Sequence, residues 1–219
     1  MNAITPALHS KNHYPLKMVE VEIGMSIYIP VPAKVKSSYE ALLAIDPHTP
    51  FPFWAKLWAS SYAMVHFLKA NPAYTKDKKV IEMGAGIGLP SLVIANQAKE
   101  VLVTDYDKEA VELMRKNIAH LGLQNIQAEI LDWNASTKAL AADTLLLSDV
   151  NYAPEQFGTL ENLINKYLAQ GTQLIIATPQ RIMGANFVSS IASHIQQNQT
   201  VEVLDPSTGS HVTISLLIL

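Results

Sequence analysis

From residue 79 onward, apolar runs of strand length alternate with stretches of helical period. The pattern predicts strands at 79–83, 101–104, 126–131, 144–149 and 173–178, and helices at 89–97, 108–121, 155–169 and 184–197. Near-continuous apolar strands separated by helices imply βαβ units and a parallel sheet covered on both faces, with right-handed crossovers. The end of the chain breaks this rhythm. Val201-Glu202-Val203-Leu204 leads into Asp205-Pro206-Ser207-Thr208-Gly209-Ser210, and then His211 through Leu219 forms a last strand. So short a loop can close only a hairpin, because a parallel return needs a crossover of about a dozen residues. Seven strands are therefore expected, one of them running against the others.

The first part of the chain reads differently. Val19, Val21, Ile23, Met25, Ile27 and Ile29 alternate with mostly polar neighbours, as in a half-buried strand or a pair of strands, and Gly24 marks a bulge or turn. Pro30, Pro32, Pro47, Pro50 and Pro52 punctuate an irregular segment. A helix is then predicted over 54–70, with Trp54, Trp58, Tyr62 and Val65 near one face. No linker or repeat divides the chain, so residues 1–219 are expected to form one domain, with 1–50 as an N-terminal β extension.

Composition narrows the partners. Apolar residues make up 49% of the chain, the net charge is -3 and there is no cysteine. Thiolate metal sites, a disulfide framework and a cysteine nucleophile are excluded. The charge offers no footprint for nucleic acid, and no apolar run reaches the length of ~18 residues that a membrane helix needs. Met1-Asn2-Ala3-Ile4-Thr5-Pro6 lacks the pattern of a secretory leader, so a cytoplasmic protein is expected. The seven histidines are scattered, and no metal is expected.

The chemistry concentrates where strands end, since ligands of open α/β sheets sit outside the carboxyl ends of the strands. After the first of these strands comes Glu82-Met83-Gly84-Ala85-Gly86-Ile87-Gly88-Leu89-Pro90. The dinucleotide fingerprint would require glycine at position 89, where Leu89 stands. Glu82, directly before the turn, would repel a pyrophosphate and suits a ligand with positive charge and no phosphate. S-adenosylmethionine, with its ammonium and sulfonium, is such a ligand. The second strand ends in Asp105-Tyr106-Asp107. Asp105 stands 21 residues after Gly84, where a carboxylate can accept both hydroxyls of a ribose, while Asp107 suits a helix cap. The third strand ends in Asp132-Trp133, placed to accept adenine amino hydrogens and to cover the ring. The fourth ends in Ser148-Asp149-Val150-Asn151-Tyr152.

These residues resemble those of class I, seven-strand S-adenosylmethionine-dependent methyltransferases. Glu82-x-Gly84-x-Gly86-x-Gly88 is similar to that family's first motif. The closer resemblance is to its protein-lysine branch (methyltransferase family 16), and within it to the electron-transfer flavoprotein β-subunit lysine methyltransferases. Pro52-Phe53-Trp54-Ala55-Lys56-Leu57-Trp58, Leu131-Asp132-Trp133 and Asp149-x-x-Tyr152 carry it, over about residues 50–180. The resemblance implies a doubly wound, Rossmann-like α/β sheet of order 3-2-1-4-5-7-6 with the last strand antiparallel. It implies S-adenosylmethionine as cofactor, held by Trp58, Glu82, Gly84, Gly86, Gly88, Asp105, Tyr106, Asp132 and Trp133. Trp54 either walls the methionine end with Trp58 or is core. Asp149 and Tyr152 are the expected catalytic pair, orienting an acceptor amine on a protein lysine or a small metabolite. A fold that binds the cofactor without catalysis is the third reading. The double proline of the nucleic-acid amino-methylases is missing between Asp149 and Tyr152.

Overall fold

The computed structural model describes residues 14–135, 140–181, 184–206 and 208–219. The leader reading of Met1 to Pro6, and Ser207 within the last loop, lie outside the described residues. The leading alternation is a pair of strands, β1 (Leu16–Glu22) and β2 (Met25–Pro30), joined antiparallel. Gly24 closes their turn at φ 77°, a left-handed conformation that glycine adopts without strain.

Two sequence expectations in this region give way. The proline-marked segment contains a helix, α1 (Pro32–Leu43), with Pro32 in its first turn. Proline is suited to that position, because its fixed φ is helical and no helical acceptor awaits its missing N–H. The helix predicted from residue 54 begins at Ala59 and runs to Ala70 as α2. Phe53–Ala55 form a 3-10 turn, and Lys56 and Trp58 are extended. The Trp58 indole N–H donates to the Phe53 carbonyl at 2.9 Å and closes this stretch into a loop.

The regular part comprises β3 (Lys79–Met83), α3 (Leu89–Ile94), β4 (Glu100–Asp105), α4 (Lys108–Leu121), β5 (Ile126–Ile130), β6 (Thr144–Ser148), α5 (Phe157–Leu168), β7 (Gln173–Pro179), α6 (Ala185–Ser190), β8 (Gln197–Leu204) and β9 (His211–Ile218). The last helix is shorter than the predicted 184–197. Gln197 onward is drawn into the sheet, where β8 pairs with β9 along its whole length. The described residues form a seven-stranded sheet in the order β5-β4-β3-β6-β7-β9-β8, with β9 antiparallel to both of its neighbours. Counted within this sheet, that is the expected 3-2-1-4-5-7-6. Among the described residues no helix is long and apolar enough to cross a membrane.

Both faces of the sheet are buried, and successive residues serve opposite faces. Val80, Val103 and Leu146 pack with Met64 and Leu68 of α2, Leu92 of α3 and Met114 of α4. Ile81, Leu145 and Leu147 pack with Leu160, Ile164 and Tyr167 of α5 and Phe187 of α6. The N-terminal hairpin joins the first layer through β2. Asn117 of α4 is fully buried and imitates a strand neighbour: its Oδ1 accepts from the Tyr28 N–H at 2.8 Å and its Nδ2 donates to the Tyr28 carbonyl at 3.0 Å.

Replacing Asn117 with Ala leaves two part-buried backbone groups of Tyr28 without these partners, a cost of about 1–3 kcal/mol. The expected result is a lower urea midpoint together with faster amide exchange over β1 and β2. An unchanged midpoint would show that the hairpin does not depend on this bridge.

Candidate functional site

The glycine turn is shaped by what it cannot hold. Gly84, Gly86 and Gly88 all have positive φ, at 63°, 57° and 77°. A Cβ on Gly84 would lie 3.0 Å from Val150 and 3.1 Å from the Trp133 ring, and one on Gly86 would lie 3.2 Å from the Trp54 carbonyl oxygen. Any larger residue is therefore strained by both conformation and space. Gly88 precedes α3 in the left-handed conformation. Beneath the turn lies Glu82, fully buried, whose Oε2 accepts from the Ser91 N–H at 3.0 Å and from its hydroxyl at 2.5 Å. Among the described residues, Oε1 of Glu82 has no hydrogen-bond partner.

Asp105, at the end of β4, ties the turn to the neighbouring strand. One carboxylate oxygen accepts from the Gly86 N–H at 2.8 Å and the other from the Asp107 N–H at 2.9 Å. Burial raises the Asp105 carboxyl above its ordinary range against these bonds. Asp107 caps α4 by accepting from the Glu109 N–H at 2.8 Å. Tyr106 stands exposed on the rim, its hydroxyl pushed up to about 12 by burial of its inner part and by the field of Tyr152. Trp133, after β5, lays its ring beside Gly84. Asp132 is exposed at the rim, and its Oδ1 accepts from the backbone and side chain of Asn134, each at 2.9 Å.

Asp149, after β6, adopts φ 56° and is buried. Its carboxylate takes both arms of Arg181, Nη1 to Oδ1 at 2.7 Å and Nη2 to Oδ2 at 3.1 Å. Burial raises the Asp149 carboxyl, while Arg181 and Lys56 pull it down. Tyr152 is partly exposed, and its ring centroid lies 4.8 Å from that of Phe53. Burial and the charges of Asp105, Asp149 and Glu155 raise its hydroxyl. Lys56 sits 4.2 Å above the Trp58 ring and pairs with Asp205 at 3.4 Å.

Most of these groups border one cleft above the turn. Trp54, Trp58, Gly84, Gly86, Gly88, Asp105, Tyr106, Trp133, Asp149 and Tyr152 all line it. Trp54 thus faces the cleft and also packs its backbone against Gly86. Glu82 lies behind the turn and Asp132 beside the lining. Two residues of the site, Arg181 and Lys56, carry no signal in their local spacing. Arg181 stands two positions after the end of β7, so reading the fifth strand end as the first four were read would have found it. Lys56 lies within the motif of residues 52–58, has an extended backbone and lines the cleft.

A sequence model of the family described as lysine methyltransferase matches residues 43–194. The chain is 29% identical over 135 residues to a calmodulin-lysine N-methyltransferase of Arabidopsis thaliana, covering 57% of this chain and 44% of that protein. It is 27% identical over 133 residues to the electron transfer flavoprotein beta subunit lysine methyltransferase of Mus musculus, covering 59% of this chain and 51% of that one. The chain thus spans about half the length of these curated relatives. Among solved structures, the tRNA (uracil-54, C5)-methyltransferase of Pyrococcus abyssi in complex with S-adenosyl-L-homocysteine superposes with a TM-score of 0.60 at 14% identity, over 93% of this chain and 44% of that one. That likeness shows the fold.

The buried Glu82 makes stability depend on pH. Burial raises its carboxyl from the ordinary 4.5 to about 7, despite the two bonds from Ser91. Between those values the folded state holds a proton that the unfolded state has released. The contribution is therefore full below about pH 4.5 and is lost as pH rises through about 7, at most about 3 kcal/mol. Glu82→Gln should flatten this loss, seen as urea midpoints compared at about pH 5 and about pH 8. Parallel pH curves for the two proteins would contradict a buried, raised carboxyl.

Proposed function

The chain belongs to the lysine methyltransferase family, and on that premise we propose that it transfers a methyl group from S-adenosylmethionine to an amine, with a protein lysine as acceptor. One observation carries the reading: Asp105 and Asp149, at the ends of β4 and β6, face the same cleft on either side of the glycine turn. The turn suits such a cofactor. Gly84 and Gly86 leave no Cβ in the cleft, and the buried Oε1 of Glu82 is an acceptor still lacking a donor. Glu82, Gly84, Gly86, Gly88 and Trp58 would surround its methionine portion, Asp105 and Tyr106 its ribose, and Asp132 and Trp133 its adenine. Each Asp105 oxygen already accepts one N–H, and a carboxylate oxygen has capacity for a second donor.

When bound, the cofactor supplies a methyl on a sulfonium, which an amine displaces in line. Holding the two in line contributes ~7–11 kcal/mol. Removing the proton of a lysine ammonium at neutral pH costs about 4–5 kcal/mol from its ordinary pKa of ~10.4. Positioning is thus the larger effect, and Asp149 and Tyr152 are placed to orient the amine, with Asp149 helping its proton leave. The acceptor side is lined by aromatics that reach back to α1: Tyr39 meets Phe51 and Phe51 meets Phe53, each at 5.0 Å, and Phe53 meets Tyr152. This supports a part for residues 1–50 in substrate selection within one domain of 1–219. The net charge of -3 supports a protein rather than a nucleic-acid partner, and a chain without cysteine suits the cytoplasm.

The test supplies labelled S-adenosylmethionine to the purified protein with cell protein and, separately, with small amines. Methylated lysine in protein is expected, with Asp149→Ala lowering turnover roughly 100-fold and Tyr152→Phe lowering it less. Cofactor affinity should hardly change in either. Label on small amines alone would assign a metabolite acceptor. No transfer despite tight cofactor binding would make this a binding protein.

A further inference from the structure

In the proposed function Asp149 receives the acceptor amine, and the role inferred for Arg181 rests on that function. The Asp149 carboxylate already has a cationic partner. The Asp149 side chain is only 7% exposed, both oxygens are held by Arg181, and the Arg181 side chain is 41% exposed. A nearly buried carboxylate at the wall of an open cleft is costly without a countercharge, and the guanidinium supplies one to both oxygens. Arg181 does not line the glycine cleft. It approaches from a second opening, and the two openings share Trp58 and Asp149 as a common wall. Asp205 and His211 border the second opening as well, so a guanidinium swung away from Asp149 would meet solvent and a carboxylate wall rather than core.

We infer that Arg181 occupies the acceptor carboxylate of the free protein and selects for acceptors that bring a positive charge of their own. An ammonium can take its place on Asp149, because one ion pair replaces another. A hydroxyl cannot, because it would leave the buried carboxylate with only Lys56, itself paired with Asp205, as countercharge. Binding is then weakened by the fraction of time that Arg181 holds the site closed. Arg181 acts through Asp149 and is a positioning residue.

The experiment reads binding, independent of turnover. n-Butylammonium is titrated by NMR into the protein saturated with S-adenosylhomocysteine, with n-butanol as the uncharged control. Arg181→Ala should bind n-butylammonium about two- to fivefold more tightly than the wild type, the release expected for a partly exposed ion pair. Arg181→Lys, which cannot hold both oxygens, should fall between them. Adding Asp149→Asn to Arg181→Ala should remove the gain, and n-butanol should show none. A merely structural role for Arg181 predicts weaker binding in both variants, so equal or weaker binding overturns the inference, as does a gain that survives Asp149→Asn. If Arg181→Ala does not fold, the same comparison is made with Arg181→Lys alone. Methylation of an amine by the wild type decides the proposed function separately. An active wild type with no gain in either variant sinks only the role of Arg181.

Discussion

Asp105 holds together two turns that belong to different strands. Its two oxygens accept the N–H of Gly86, after β3, and of Asp107, before α4. Its carbonyl takes a third N–H, that of Leu131 after β5, at 2.9 Å. The ends of three neighbouring strands are thereby fixed around one residue. The glycine turn can close this far only because no Cβ stands between it and Trp54, Trp133 and Val150. The rim of the cleft on this side is tied by bonds to backbone groups rather than by long side chains.

The opposite side is built from charges and rings. Asp149 and Arg181, Lys56 and Asp205, and the ladder from Tyr39 to Tyr152 meet there. Both anions are matched by cations within the protein, so the wall is close to neutral and an incoming amine must compete for a partner. On the proposed function this division suits the chemistry. The cofactor side needs a fixed cradle, whereas the acceptor side must admit and release a side chain.

Much of this could be read from the residues because short-range rules governed it. The βαβ rhythm from residue 79, the antiparallel end and the strand-end carboxylates follow from period, loop length and the geometry of open sheets. The misses have physical causes. A proline in the first turn of α1 looks like a breaker although it starts that helix. Residues 53–58 carry helix-compatible apolar spacing, yet the Trp58-to-Phe53 bond and the close approach of Trp54 to Gly86 hold them out of a helix. Gln197 joins β8 because the eight-residue β9 needs a partner along its length. Arg181, two positions after the end of β7, is missed when only the first four strand ends are read, and its pairing with Asp149 joins residues 32 positions apart across β6 and β7.

The central claim is that the glycine turn, with Glu82 behind it and Leu89 where a dinucleotide site needs a third glycine, makes this cleft a site for S-adenosylmethionine and not for a dinucleotide, with Asp105 proposed to hold the ribose. Calorimetric titration of the wild type and of Asp105→Ala with S-adenosylmethionine and with NAD tests it most directly. The wild type is expected to bind S-adenosylmethionine and not NAD, and Asp105→Ala to lose that binding while keeping its circular dichroism and a cooperative thermal unfolding transition, lowered by the loss of the two N–H bonds. Equal affinity in the folded variant, or preference for NAD, would contradict it.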